Sequence, residues 1–189
     1  MRLFAAIDLS RGTRDAMAVE QRRVASSLGK AAASLKWVKP DRAHLTLVFL
    51  GQVQEDVVAP LVETMSQGID ATPFDIVFSG RGVFPARGAP RVFWAGVGAG
   101  IDRLQSLQRE IVQRVVKYGV VLEAREFRPH LTLGRWTTSR PSDAMRVLSA
   151  ARQETLAQET VTRVTLFESR LSSSGPAYTA LAHANLTRT

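Results

Sequence analysis

Two of the three histidines in this 189-residue chain stand in the same tetrapeptide, His44-Leu45-Thr46-Leu47 and His130-Leu131-Thr132-Leu133. Imidazole is the side chain that takes or gives a proton near neutral pH, with an unperturbed pKa of about 6.5. In a β-strand alternate side chains face one way, so each histidine shares a face with its threonine while the leucines point into a core. The first and third Cα atoms of such a run lie roughly 6.6 Å apart, close enough for a ring and a hydroxyl to meet on one phosphate. Two such pairs across a phosphodiester divide the work. One imidazole removes a proton from the attacking water, and the other protonates the departing ribose oxygen. The threonine hydroxyls, as neutral donors, hold nonbridging oxygens while charge builds on them. This chemistry requires no metal.

A lone His-x-Thr on a strand is more simply a half-buried histidine with its hydrogen bonds met, and that is the reading for His183 on the last strand. A structural histidine has no reason to recur together with its threonine, and these two do. Other uses of the residues fall short. A zinc site wants three or four protein ligands, and two histidines with no cysteine and no cluster at ligand spacing do not supply them. There is no G-x-S-x-G elbow and no P-loop. The run Gly96-Val97-Gly98-Ala99-Gly100 has the wrong spacing for a dinucleotide fingerprint and reads as a strand-to-helix turn.

The absence of cysteine excludes disulfides and thiolate chemistry and fits a reducing compartment. The N-terminal run reaches Asp8 too soon for a secretory signal, and no apolar stretch is long enough to span a bilayer, so the expectation is a cytoplasmic protein with no membrane partner. The net charge is +8, and of 25 basic residues only Lys30, Lys36, Lys39 and Lys117 are lysine. Arginine forks match phosphate oxygens, so the balance favours a polyanion such as RNA; an arginine-biased solvated surface is the plainer alternative.

The elements that must position the histidines form a longer internal repeat. Arg2-Leu3-Phe4-Ala5-Ala6-Ile7 precedes the first motif and Arg91-Val92-Phe93-Trp94-Ala95-Gly96-Val97 the second, and Ile76-Val77-Phe78-Ser79 parallels Thr165-Leu166-Phe167-Glu168 downstream. Each unit reads strand, helix, histidine strand, helix, strand. In the first, a strand over 3–9 leads to a helix capped by Ser10, running to about Leu28 and ended by Gly29. The strand at 44–50 follows, then a helix marked by Val58, Leu61, Val62, Met65 and Ile69, with Pro60 tolerable only near its first turn, and a strand at 74–83. The second unit has strands at 92–97, 130–136 and 161–171, a helix carrying Ile101, Leu104, Leu107, Ile111, Val112 and Val115, and a helix opened by Pro141. The turn at 172–176 leads to a last strand over 177–186, and the Pro/Gly-rich stretch 84–90 joins the units as a hairpin. The expected architecture is α+β: one bilobal domain over 1–189, with repeats at about 1–87 and 88–173 plus the final strand, related by a pseudo-two-fold axis. Largely antiparallel sheets would carry helices outside and a cleft between, with the two histidine strands facing across it.

The motifs resemble the two H-x-T-x motifs of the 2H phosphoesterase superfamily. Trp37-Val38-Lys39-Pro40 and Phe49-Leu50-Gly51 flank the first, and Arg128-Pro129 and Gly134-Arg135 the second, in a manner similar to its RNA 2′,3′-cyclic phosphodiesterase branch, once called 2′-5′ RNA ligases. The resemblance covers essentially the whole chain. It implies hydrolysis of an RNA 2′,3′-cyclic phosphate to a 2′-phosphomonoester without metal or cofactor, and the same step reversed gives ATP-independent 2′-5′ joining. It makes His44 the proton donor and His130 the proton acceptor, and gives Thr46 and Thr132 the phosphate. Arg135 matches a phosphate-contacting arginine and Phe49 an aromatic that stacks on the terminal base. Strand parity puts Phe49 on the face opposite His44 unless the strand end twists or bulges.

The partner expected is an RNA end or oligonucleotide bearing a 2′,3′-cyclic phosphate, bound by a monomer. The rivals are a 2H enzyme for small cyclic nucleotides or 2′-5′ oligonucleotides, and, from another class, a basic RNA-binding module whose histidines only touch phosphate.

Overall fold

The computed structural model describes residues 1–124, 126–172 and 175–188. Among these the chain runs β1 (Arg2–Asp8), α1 (Arg11–Leu28), β2 (Leu35–Trp37), β3 (His44–Gln52), α2 (Glu55–Ser66), β4 (Phe74–Phe84), β5 (Val92–Ala99), α3 (Ile101–Val116), β6 (His130–Trp136), α4 (Pro141–Ala150), β7 (Ala157–Val161), β8 (Arg163–Ser172) and β9 (Gly175–Asn185). Local chemistry sets most of the boundaries. The Ser10 hydroxyl accepts the Thr13 amide N–H at 3.3 Å to cap α1, and Gly29, at φ +54°, ends it in a conformation that favours glycine. Pro141 opens α4, where the Asp143 carboxylate accepts the Arg140 amide N–H at 2.7 Å.

The strands make two antiparallel sheets, ordered β3-β1-β8-β9 and β2-β6-β5-β4-β7. The repeat units and the sheets do not coincide. The short connection after Phe84 keeps β4 beside β5, with Phe84 opposite Val92, so the closing strand of the first unit lies in the second unit's sheet. Reciprocally, β8 pairs with β1, Phe167 opposite Phe4. The helices cross as well. α1 packs on β7 and α4, whereas α3 packs on β3 and α2, so each opening helix covers the other unit's sheet. Each sheet therefore contains, in order, histidine strand, opening strand, borrowed closing strand and added strand, with β2 as a further edge strand beside β6 in the second; this is an α+β fold with pseudo-two-fold equivalence, helices outside and a cleft between the sheets.

The core lies between the sheets and their helices. Leu45, Leu131 and Leu133 of the two motifs are buried in it with Ile76, Phe78 and Phe93. Leu104, Leu107, Ile111 and Val115, spaced three and four apart, bury one stripe of α3.

Three expectations need correction, and one strand, β2, is unexpected. The expected strand over 161–171 is two strands in different sheets, β7 against β4 and β8 against β1, because the chain changes sheet at Thr162, where the exposed pair Thr162-Arg163 separates buried Val161 from buried Val164. Ile69 lies beyond α2 and bridges to Leu186. Pro60 stands inside α2, in its second turn. β2 is a three-residue edge strand, too short to leave a periodic signal. Of the turn expected at 172–176, Ser173 and Ser174 lie outside the described residues.

Candidate active site

His44 and His130 each begin a strand, and β3 and β6 approach with Cα atoms within 8 Å across the cleft. The two rings are held alike. The Nδ1–H of His44 donates to the Arg42 carbonyl at 2.9 Å, and that of His130 to the Arg128 carbonyl at 2.7 Å. A carbonyl can only accept, so Nδ1 carries the hydrogen in both rings and Nε2 is the atom left for proton transfer. The chain turns back two residues before each motif to supply that carbonyl.

Both histidine strands bulge just after the threonine. Opposite Ala6 and Ala5 of β1 stand Thr46 and Val48, with Leu47 left over; opposite Trp94 and Phe93 of β5 stand Thr132 and Gly134, with Leu133 left over. Each bulge reverses the alternation, so Leu47 and Val48 are both buried, as are Leu133 and Gly134. Phe49 and Arg135 then come round to the face of the histidine five residues before them. Phe49 is 57% exposed, and its ring centroid lies 6.2 Å from that of Phe4, which in turn lies 4.8 Å from His44. Uninterrupted parity placed Phe49 on the far face; the bulge at Leu47 overturns that. Gly134 suits the close approach of β2, since a Cβ there would meet Leu35 Cδ1 at 2.9 Å and the Lys36 carbonyl oxygen at 3.3 Å.

Thr46 and Thr132 are half-buried beside their histidines, and among the described residues neither hydroxyl is engaged in a hydrogen bond. Arg135 is exposed, and its positive charge acts on His44, His130 and Tyr178. Burial lowers the pKa of His44 below its ordinary value; the hydrogen bond to Arg42 opposes this, Arg135 and His130 add to it, and the carboxylate of Asp8 opposes it. Burial lowers His130 as well, again against its carbonyl partner and reinforced by Arg135. Aromatic rings wall both sites. Tyr178 meets His44 edge-on at 5.1 Å and Phe84 meets His130 edge-on at 5.1 Å.

The surroundings break the symmetry of the motifs. Opposite His44 on β1 stands Asp8, whereas opposite His130 on β5 stands Gly96. A Cβ on Gly96 would meet the Trp94 ring at 3.3 Å, so the space beside His130 is filled by an aromatic instead of a carboxylate. Asp8 is held in place by the Thr165 hydroxyl, which donates to Oδ2 at 2.7 Å, and Thr165 in turn accepts from His183 Nδ1–H at 2.9 Å. The third histidine thus buttresses the neighbour of the first. Asp8, Thr165 and Tyr178 left no sequence signal, because β1, β8 and β9 meet here only through sheet pairing. Among the described residues no three His, Cys, Asp or Glu side chains gather as a metal site would need.

The chain matches the family model of the 2′-5′ RNA ligase superfamily over residues 13–172. A protein of Methanothermobacter thermautotrophicus named RNA 2′,3′-cyclic phosphodiesterase is 34% identical over 181 residues, 95% of each chain. One of the same name from Archaeoglobus fulgidus is 33% identical over 180 residues, 94% of this chain and 96% of its own. Among solved structures, a Thermus thermophilus protein superposes with a TM-score of 0.77 at 28% identity, covering 100% of this chain and 99% of its own. E. coli LigT in complex with 3′-AMP gives 0.75 at 25% identity, covering 99% and 98%. A duplicated fold with one His-x-Thr strand from each half, matched over most of its length by that family model, places this chain in the 2′-5′ RNA ligase superfamily, among the 2H phosphoesterases.

Proposed function

We propose that the protein hydrolyses RNA 2′,3′-cyclic phosphodiester ends to 2′-phosphomonoesters by two-histidine acid/base catalysis. The observation that carries this reading is the matched anchoring of two imidazoles through Nδ1, on strands that meet across one cleft, which leaves both Nε2 atoms free for proton transfer with the charge of one arginine acting on both rings. The relatives named RNA 2′,3′-cyclic phosphodiesterase support the same substrate.

His130 Nε2 takes a proton from water as its oxygen bonds to phosphorus. The bond from phosphorus to the ribose 3′-oxygen breaks, and His44 Nε2–H delivers its proton to that oxygen. The products are a 2′-phosphomonoester and a free 3′-hydroxyl. Thr46, Thr132 and Arg135 hold the nonbridging oxygens, with the charge of Arg135 matched to the growing negative charge, and Phe49 offers its exposed face to the terminal base. Asp8 favours imidazolium at His44, whereas Gly96 stands opposite His130 and among the described residues no carboxylate acts on it, which supports His44 as the acid. With a 5′-hydroxyl end in the place of water, the same atoms join two strands without ATP: its oxygen bonds to phosphorus, the bond to the 3′-oxygen breaks, and a 2′-5′ linkage with a free 3′-hydroxyl results.

The test is incubation of an RNA ending in a 2′,3′-cyclic phosphate with protein and EDTA. Turnover is expected, and His44→Ala and His130→Ala should each lower kcat about 10²- to 10⁴-fold. Tight RNA binding without turnover would replace this reading by that of a binding module.

A further inference from the structure

Lys36 stands directly opposite Arg135 in the pairing of β2 with β6. Opposed residues of an antiparallel pair share a face with Cα atoms about 4.5–5.5 Å apart, and like charges in that position repel. Both side chains are exposed, and among the described residues neither is engaged in an ion pair or a hydrogen bond. Several other arginines do take carboxylate partners, as Arg23 does with Glu20, Arg114 with Glu110 and Arg188 with Asp70. The lysine is also firmly presented. Leu35 before it is buried, Trp37 after it packs edge-on against Phe93 at 6.3 Å, and the Val38 N–H donates to the Leu133 carbonyl at 3.0 Å. Two like charges paired across neighbouring strands, on a backbone held by burial on either side and with no carboxylate partner among the described residues, are the local inconsistency expected where an anion completes the site.

We propose that Lys36 binds the phosphodiester on the 5′ side of the terminal nucleotide, and so selects RNA strands over cyclic mononucleotides. This rests on the function proposed above. Arg135 serves the reacting phosphate; Lys36, one strand further out, meets the next phosphate along the chain. An oligonucleotide ending in a cyclic phosphate carries that second group, and a 2′,3′-cyclic mononucleotide does not. Basic grooves track single strands in this way, phosphate by phosphate.

The experiment compares kcat/KM for a short RNA ending in a 2′,3′-cyclic phosphate with that for cytidine 2′,3′-cyclic phosphate. The wild type should prefer the RNA, and Lys36→Ala should cut the RNA-to-mononucleotide ratio about tenfold, the loss of one charge-assisted hydrogen bond. Lys36→Arg should restore the ratio, and Arg135→Ala should depress both substrates together. For binding of the 2′-phosphorylated RNA product, the slope of log Kd against log salt should fall by about 0.7 in Lys36→Ala, as for one single-strand phosphate contact removed. An unchanged ratio and slope in Lys36→Ala would overturn the proposal and leave the lysine as a guard against edge pairing. Equal use of both substrates by the wild type would also overturn it, while turnover of neither would instead remove the function on which it rests.

Discussion

The Gln21 side-chain amide donates to the Leu133 carbonyl at 2.8 Å, inside the protein and 112 residues away along the chain. Leu133 is the extra residue of the β6 bulge, and the same amide also donates to the Val38 carbonyl at 2.8 Å. A helix of the first repeat thereby braces the irregularity that turns Arg135 toward His130. Gln21→Leu fills the space but removes one donor from each of the two carbonyls, leaving Leu133 with the Val38 N–H. It should destabilise the fold by about 1–3 kcal/mol and lower kcat/KM for the cyclic phosphate. Denaturant unfolding read beside steady-state kinetics checks this, and a variant with wild-type turnover would show that the bulge stands without the amide.

The pH dependence of kcat/KM should be a bell displaced to the acid side of the ordinary imidazole range, because burial lowers both histidines and Arg135 lowers them further. Its two apparent pKa values belong to the coupled pair. Arg135→Ala removes a shared downward influence, so both limbs should move to higher pH while the maximum falls. A bell that keeps its position in this variant would mean that Arg135 does not act on the rings.

Asp8→Asn tests the asymmetry between the two histidines. The amide oxygen can still accept from Thr165, but the charge that favours imidazolium at His44 is gone. With His44 as the acid, activity falls as pH rises through its pKa, so loss of Asp8 should carry the alkaline limb to lower pH. Movement of the acid limb alone would exchange the roles of His44 and His130.

Glu20 and Arg81 make a buried pair at 3.4 Å, with side chains 6% and 1% exposed, joining α1 to β4. Burial pushes the Glu20 carboxyl upward, but hydrogen bonds from Arg23 and the Arg152 amide and the charges of Arg81 and Arg23 outweigh it, so its pKa lies below the ordinary carboxylate value. A depressed folded pKa contributes stability that is present above the unfolded value and lost as pH falls through the folded one. Glu20→Gln should therefore cost about 3 kcal/mol near pH 7, and the gap from the wild type should narrow in acid. Urea unfolding at pH 7 and at acid pH measures both, and a gap that widened in acid would reverse the sign.

The motif threonines and leucines were legible because a strand's period of two is written in consecutive residues, and Ser10, Gly29 and Pro141 mark helix ends by chemistry confined to one turn. The face of Phe49 could not be read from parity, which set it opposite His44 unless the strand twisted or bulged, because a bulge depends on what the neighbouring strand offers. Nothing in the run from Leu45 to Leu50 announces that Leu47 will be left unpaired. His183 read as an ordinary strand residue, since its link to Asp8 passes through Thr165 on a strand that joins β1 only in the folded sheet.

The sequence by itself determined that there are two imidazoles, each with a hydroxyl on the same strand face, and that one unit is used twice. Those properties are local, set by backbone geometry within a few residues. Only the tertiary structure decided that the units exchange their closing strands, that the bulges aim Phe49 and Arg135 inward, and that Asp8 distinguishes one histidine from the other. Each of these depends on contacts between segments distant in sequence, where pairing register and burial, and not the composition of any one strand, set the free energy.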